Sequence, residues 1–236
     1  MTPAFKQSLQ RARRRCTEAL GIDWYSRPAL VGLDRKLEVF LPERNGFFVE
    51  AGANDGFQQS NTYYFERLRG WRGVLIEPIP ELCARCRQER PGSVVVQAAL
   101  VAPDFPAREI EMQFAGLMSV SAEAFGDDAK RRRHVEIGLQ QRGVHGTYAV
   151  HVPARTLSAV LDDVAPGRPI DLLSLDVEGA ELTALAGLDL ARHAPRFICV
   201  EARDPAAISA RLRSHYEGPV LLSDNGAHQD LLFRRR

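Results

Sequence analysis

Hydrophobic residues in this chain form short runs, and longer segments of mixed polarity separate them. Five runs are rich in β-branched or aromatic residues, and a polar residue follows each one: residues 47–49, 74–76, 94–96, 170–175 and 197–200. The segments between them carry apolar residues at helical spacing. Continuous apolar strands that alternate with helices are typical of a parallel sheet covered on both faces, so an α/β fold is predicted.

Two parts of the chain depart from this alternation. Residues 1–45 are predicted to form an N-terminal helical extension that begins with a basic helix over residues 3–20. One side of that helix is apolar and carries Phe5, Leu9, Ala12, Cys16, Ala19 and Leu20. The arginines at 11, 13, 14 and 15 are then expected on a solvated side. The second interpretation is a patch that contacts an anionic acceptor or, weakly, an acidic lipid surface.

Residues 101–155 interrupt the pattern between the third and fourth strands. Two runs in this segment, residues 109–114 and 148–152, have strand character. Insertions of this length are usually functional or disordered. We predict that the segment is a lid that binds the acceptor. Residues 46–100 and 156–236 would form the two halves of the sheet, within a single domain that spans residues 1–236.

A glycine-containing turn follows the first strand and begins directly after Glu50. It contains Gly52, Asn54, Asp55 and Gly56. Ligands of open α/β sheets bind beyond the carboxyl ends of the strands. A dinucleotide would require one more glycine in this frame, and the two acids would repel its pyrophosphate. The acids suit a ligand that carries an ammonium and a sulfonium group, as S-adenosylmethionine does.

The second and third strands add candidate contacts for the same ligand. Glu77 follows the second strand, where an acid can accept hydrogen bonds from both ribose hydroxyls of an adenosine. Pro78 and Ile79 come next and would cover one face of the adenine. Gln97 and Ala98 follow the third strand, near the expected adenine edge, although Gln97 is equally well explained as a polar residue at a strand end.

The motifs together resemble the FkbM family of S-adenosylmethionine-dependent O-methyltransferases. The similar stretches are residues 48–56, 60–62, 70–78 and 170–181, and the likeness extends over residues 33–203. The resemblance implies a Rossmann-like, seven-stranded sheet with an antiparallel last strand. It also implies that Ser60 and Asn61 belong to the cofactor site and that a methyl group is transferred to a hydroxyl, commonly on a sugar, glycan or natural product.

The end of the fourth strand is the predicted catalytic centre. Asp176 and Glu178 follow that strand, and either carboxylate can act as the base that removes the hydroxyl proton. In a second version, Asp176 and Glu201 hold Mg²⁺, which lowers the pKa of the acceptor. The resemblance adds that some family members bind Mg²⁺ at comparable strand ends. A structural alternative is that Asp176 caps the following helix.

Composition narrows the remaining options. The 31 basic and 30 acidic residues nearly balance, so no global field would recruit nucleic acid. No apolar run has the length of a membrane span, and the N-terminus lacks a signal-peptide core. The four cysteines fit a reduced, cytoplasmic setting. An oligomer is left open, and the rival functions are a non-catalytic protein that binds S-adenosylmethionine or a nucleotide, and an NAD-dependent oxidoreductase.

Overall fold

The computed structural model of the protein describes residues 3–114, 120–121 and 148–236. The helices are α1 (Pro3–Ala19), a 3-10 turn (Leu30–Gly32), α2 (Leu33–Phe40), α3 (Tyr63–Arg69), α4 (Pro80–Glu89), α5 (Leu157–Val164), α6 (Glu181–Ala186) and α7 (Pro205–Leu212). The strands are β1 (Phe47–Ala51), β2 (Arg72–Ile76), β3 (Val94–Val96), β4 (Ala99–Leu100), β5 (Glu109–Phe114), β6 (Val120–Ser121), β7 (Tyr148–Arg155), β8 (Leu172–Leu175), β9 (Phe197–Ala202), β10 (Tyr216–Asp224) and β11 (Gln229–Arg235). None of these helices is long and apolar enough to cross a membrane.

Seven of the strands form one sheet in the order β10-β11-β9-β8-β1-β2-β3. Strands β3, β2, β1, β8 and β9 pair in parallel, whereas β11 is antiparallel to both of its neighbours. The predicted α/β, Rossmann-like sheet with an antiparallel last strand is therefore confirmed. Because β1 is the middle one of the five parallel strands, the turn that follows it opens at the middle of their carboxyl edge.

Alternate residues of the buried strands face two separate hydrophobic cores. Val49 and Val74 point to the face that α5 and α6 cover, and Phe48 and Leu75 point to the face that α2 and α3 cover. Side chains of successive strand residues project to opposite faces, and here both faces are buried. The double coverage explains why these strands are continuously apolar instead of alternating with polar residues.

The segment predicted as a lid contributes a second, smaller sheet. Strands β4, β7, β5 and β6 lie in that order, and β5 pairs with β7 in antiparallel register. Ile110 and Met112 on β5 pack with Ile79 and Leu82 at the start of α4. The two predicted strands are therefore present. Residues 115–119 and 122–147 lie outside the described part of the chain, and the acceptor-binding role of the segment stays a prediction.

Helix α1 corrects one expectation from the sequence. The run of arginines was expected on the solvated side of the helix, but Arg14 is 7% exposed and Arg11 forms an ion pair with Glu89. The apolar side, which includes Leu9 and Leu20, faces solvent. The expectation was wrong for Arg14, whereas Arg13 and Arg15 are exposed as expected. Periodicity identifies two faces of a helix without showing which one meets buried partners of opposite charge.

Candidate functional site

A cavity opens at the carboxyl edge of the central strands and is walled on its outer side by the small sheet. Its cavity volume is about 100 Å³, and the cavity is open to solvent. The predicted site residues that line it are Gly52, Asn54, Glu77, Pro78, Ala98, Asp176 and Glu178. The sequence pattern missed a second set of lining residues, which includes Gln58, Gln59, Leu100, Ile110 and Met112. The sequence around Ile110 and Met112 predicted a strand, but nothing in these two residue types indicated that they would line a ligand cavity.

The turn after β1 depends on Gly52, whose backbone has a φ of +83°. A Cβ atom at this position would lie 1.7 Å from the carbonyl oxygen of Asp176. The amide of Gly52 donates a hydrogen bond to the carbonyl of Ile76, 3.0 Å away. The turn therefore passes between the ends of β2 and β8, where only a residue without a side chain fits.

Two acids hold the rest of the turn in place. The carboxylate of Asp55 accepts hydrogen bonds from the backbone amides of Phe57, at 3.0 Å, and Gln58, at 2.8 Å. Glu77 accepts from the amide of Asn54 at 2.8 Å and from that of Ile79 at 3.0 Å. Asp55 is thus a turn-closing residue outside the cavity lining, whereas Glu77 lines the cavity and organises its floor.

Glu50 was predicted to contact the cofactor, but in the structure its side chain does not line the cavity. Its carboxylate is buried away from the cavity and accepts from the hydroxyls of Ser60 and Thr62 and from the amide of Asn61. The buried guanidinium of Arg90 lies 3.5 Å from it. These contacts place Glu50 as a positioning residue that anchors residues 60–62; its direct contact with a cofactor stays a prediction.

The remaining predicted contacts lie around the cavity without lining it. The side-chain amide of Asn61 donates to the hydroxyl of Ser174 at 3.1 Å, and that of Gln97 donates to the carbonyl of Pro78 at 3.3 Å. Ile79 is fully buried in the small core under the second sheet. Gly56, with a φ of +81°, packs closely against Cys86. These residues support the cavity walls in the structure.

Asp176 occupies the wall between the cavity and a cluster of carboxylates. Its Oδ1 atom is buried and has no hydrogen-bond partner within the described residues. Burial, followed by the negative charges of Glu201 and Glu178, holds the pKa of Asp176 well above the usual range of an aspartate. Asp176 does not cap α6, since the N-cap residue is Ala180 and the cap makes no side-chain hydrogen bond.

The turn that follows Asp176 is held by two further acids. Glu178 has a φ of +56° and accepts a 2.8 Å hydrogen bond from the guanidinium of Arg203. Glu181 accepts from the amides of Val177 and Gly179, at 3.1 and 2.9 Å. Both predicted catalytic residues therefore line the cavity, but Glu178 is neutralised by an arginine and Asp176 is not.

Glu201 lies on β9, next to the strand that Asp176 follows. It was predicted to share a metal ion with Asp176, and in the structure it also lies close to His228 and Asp230. Potential ligand atoms of Glu201, His228 and Asp230 all lie within 4.8 Å of one another, and His228 Nε2 is 3.3 Å from the Glu201 carboxylate. A donor set that contains an imidazole suits a first-row transition metal better than Mg²⁺, which prefers oxygen ligands. Mg²⁺ binding by Asp176 and Glu201 stays a prediction, and no reaction step below passes through a metal ion.

Stability should depend on pH through Glu201. Burial, followed by the charges of Glu178, Glu181 and Asp230, raises the pKa of Glu201 from 4.5 to about 8. The folded state therefore retains a proton that the unfolded chain releases. This contribution is complete below pH 4.5 and is lost as the pH rises through about 8. We expect the free energy of unfolding to fall over this window by up to about 1.4 kcal/mol per pH unit.

The check is urea unfolding of the wild type and of Glu201→Gln across that pH window. The variant should show a flatter dependence, because it has no proton to release at this position. Glu217→Gln, at an exposed glutamate on β10, serves as the matched control and should keep the wild-type slope. An unchanged slope in Glu201→Gln would contradict the assignment.

Comparison with known protein families gives one match that covers most of the chain. The family described as the methyltransferase FkbM domain matches residues 50–226. This span begins at the end of β1 and includes the turn, Glu77, Asp176 and the strands that carry them. Among curated proteins, no relative matches the chain.

Three solved structures illustrate the similarity at the level of the backbone. A TehB-like S-adenosylmethionine-dependent methyltransferase from Corynebacterium glutamicum is 14% identical, with full coverage of both chains and a TM-score of 0.45. A 1,6-didemethyltoxoflavin-N1-methyltransferase from Burkholderia thailandensis is 13% identical over 100% of this chain and 91% of its own, with a TM-score of 0.43. A methyltransferase from Aquifex aeolicus is 10% identical over both full chains, with a TM-score of 0.46.

Proposed function

The chain belongs to the FkbM methyltransferase family, and we propose that it transfers the methyl group of S-adenosylmethionine to a hydroxyl group of a sugar or glycoside. One observation carries this proposal. The glycine turn after β1, the acid after β2 and the buried acid after β8 all line a single cavity. This arrangement supports a cofactor site and a proton acceptor that lie next to each other, as transfer to a hydroxyl requires.

The residues of the cavity suit the parts of the cofactor. S-adenosylmethionine, when bound, supplies an electrophilic methyl group on a sulfonium. Glu77 is the residue that would accept hydrogen bonds from ribose hydroxyls, in exchange for the backbone amides that it now contacts. Ala98, Leu82 and Ile76 offer an apolar surface for a purine ring. Asp176 would place a carboxylate near the cationic part of the cofactor, whereas Arg203 neutralises the charge of Glu178.

Asp176 is the group that we assign to proton removal. A hydroxyl is a weak nucleophile near neutral pH and must lose its proton as it attacks. A carboxylate with a raised pKa is a stronger base than an exposed one, and burial and neighbouring negative charges raise the pKa of Asp176, which lines the cavity. With the cofactor bound, the carboxylate of Asp176 would take the hydroxyl proton as the acceptor oxygen receives the methyl group. Glu178 is assigned to shaping the turn with Arg203.

A panel of acceptors with S-adenosylmethionine labelled in its methyl group tests the proposal. Glycosides with free hydroxyls should gain label, while analogues in which those hydroxyls are already methylated should not. We expect Asp176→Asn to reduce turnover by roughly 100-fold or more, since general-base catalysis contributes about that much. Glu77→Ala should weaken binding of S-adenosylhomocysteine by about tenfold or more in calorimetry, as a hydrogen bond to a charged group is lost.

Each rival function predicts a different result. An NAD-dependent oxidoreductase would bind NAD in the same calorimeter in preference to S-adenosylhomocysteine. A non-catalytic binding protein would bind S-adenosylhomocysteine but label none of the acceptors. Wild-type turnover in Asp176→Asn would remove the proposed base, and label on amines in place of hydroxyls would overturn the assignment of the acceptor.

A further inference from the structure

Helix α1 and the segment after it present an apolar strip to solvent. Leu9 is 56% exposed, Leu20 is 75% exposed and Trp24 is 76% exposed, and Cys16 between them is exposed as well. Phe5, one turn before Leu9, is 55% exposed. Phe5, Leu9 and Cys16 are spaced so that they share one face of α1, and Leu20 and Trp24 lie in the segment that follows the helix. We call these exposed residues, from Phe5 to Trp24, the α1 strip.

The opposite side of α1 fixes the strip in this outward orientation. Arg14 forms a buried ion pair with Glu89 and donates to the hydroxyl of Tyr63 at 3.0 Å. Glu18 accepts from the guanidinium of Arg67 at 2.9 Å. If the helix rotated to bury its apolar side, Glu89 and Arg67 would lose the charged partners that α1 supplies. The free-energy cost of leaving a buried charge unpaired exceeds the gain from burying a few leucines.

Basic side chains border the α1 strip. Arg13 lies with its guanidinium 4.3 Å from the ring of Tyr25, and Arg15 donates to the carbonyl of Gln88 at 3.3 Å. Both arginines are exposed, and among the described residues neither forms an ion pair with a carboxylate. Their positive charge is therefore available to a partner that approaches the strip.

We propose that the α1 strip docks on an anionic lipid surface. A helix with an apolar face, bordering arginines and an exposed tryptophan is the arrangement that lies in the interface of a bilayer. The apolar side chains enter the boundary of the acyl chains, and the arginines meet lipid phosphates. A second copy is a poorer occupant, because two-fold pairing of the strip brings the arginines of both copies to the same seam.

Docking at this face would bring the cavity near the lipid surface. The guanidinium of Arg14, on the inward side of α1, lies 3.5 Å from the ring centre of Phe57. The next two residues, Gln58 and Gln59, line the cavity. One helix diameter, about 10 Å, therefore separates the docking face from a cavity wall. The docking proposal does not depend on which reaction the cavity performs.

Trp24 makes the proposal testable without a label. The protein has two tryptophans: Trp24 is 76% exposed, and Trp71 is 1% exposed. Titration of the full chain with vesicles of phosphatidylcholine containing about 30 mol% phosphatidylglycerol should shift Trp24 emission to the blue, and the protein should co-sediment with the vesicles. Roughly 0.5 M salt should weaken binding, and vesicles of pure phosphatidylcholine should bind weakly.

Two variants separate the apolar and the charged contributions. Leu9→Gln with Leu20→Gln should weaken vesicle binding about tenfold or more. Arg13→Gln with Arg15→Gln should weaken it about thirtyfold on anionic vesicles. The matched controls are Val220→Gln with Leu221→Gln, at exposed apolar positions on β10, and Arg213→Gln with Arg234→Gln. Both controls should bind as the wild type does.

Three results would overturn the proposal. The first is absence of binding to anionic vesicles at lipid concentrations that saturate known amphipathic helices. The second is equal binding to neutral and anionic vesicles. The third is a dimer in sedimentation equilibrium that Leu9→Gln with Leu20→Gln dissociates, because a second copy would then occupy the strip. Circular dichroism and S-adenosylhomocysteine binding of each variant show that a loss of vesicle binding is not a loss of folding.

Discussion

Replacing Gly52 with alanine is expected to eliminate S-adenosylhomocysteine binding and to lower the free energy of unfolding by roughly 3 kcal/mol or more. The added methyl group would lie 1.7 Å from the carbonyl oxygen of Asp176. That carbonyl cannot retreat easily, because the amide of Asp176 donates to the carbonyl of Ala51 at 3.1 Å. The positive φ of Gly52 adds a second penalty, since side chains are disfavoured there.

The matched control for this substitution is Gly167→Ala. Gly167 also has a positive φ, of +66°, but nothing lies within 4 Å of its missing Cβ. This variant should lose only about 1–2 kcal/mol and should bind S-adenosylhomocysteine as the wild type does. Calorimetry and urea unfolding measure the two effects separately. Equal losses in both variants would show that backbone strain, and not the contact with Asp176, makes Gly52 necessary.

Replacing Arg90 with methionine is expected to destabilise the fold by about 3–5 kcal/mol. Arg90 is fully buried, and its guanidinium contacts the carboxylates of Glu50 and Glu66 and the hydroxyls of Ser60 and Thr62. Methionine fills similar volume but leaves two buried carboxylates without their cation. Because Glu50 anchors residues 60–62, the turn beside the cavity should loosen, and S-adenosylhomocysteine affinity should fall as well.

Arg87→Met, in the last turn of α4 shortly before Arg90, provides the control. Arg87 is exposed and makes one long hydrogen bond, of 3.5 Å, to the carbonyl of Val95. Its replacement should change the free energy of unfolding by less than about 0.5 kcal/mol. Urea unfolding at fixed pH compares the two variants. A loss of under 1 kcal/mol in Arg90→Met, on the order of a surface pair, would contradict the role given to the buried network.

The order of strands and helices was readable from the sequence because each element carries its own local signal. Residues 74–76 are continuously apolar, as a strand buried on both faces must be. Thr156 accepts a hydrogen bond from the amide of Ala159 and caps α5, and threonine is a preferred residue at this position. The antiparallel pairing of β11 with β9 is confirmed, and the turn at Asp224 that precedes it has local turn chemistry.

The roles of individual acids were less readable. Glu50 lies near the end of β1 and Glu77 follows β2, but only Glu77 lines the cavity. The carboxylate of Glu50 is buried next to the guanidinium of Arg90 instead. Glu201 meets His228, which arrives from a turn 27 positions later. No local pattern reports such pairs, because the partners are brought together by the pairing of β9 with β11.

The sequence by itself determined the α/β order, the turn at residues 52–56 and the acids that follow the strands, because these features depend on neighbouring residues and on glycine geometry. The tertiary structure alone decided which acids face the cavity, which are neutralised and which side of α1 is buried. The reason is physical: the energy of a charge depends on burial and on partners that lie tens of residues away along the chain. For Arg14 and Glu89, 75 positions apart, that interaction turned an apolar helix face toward solvent.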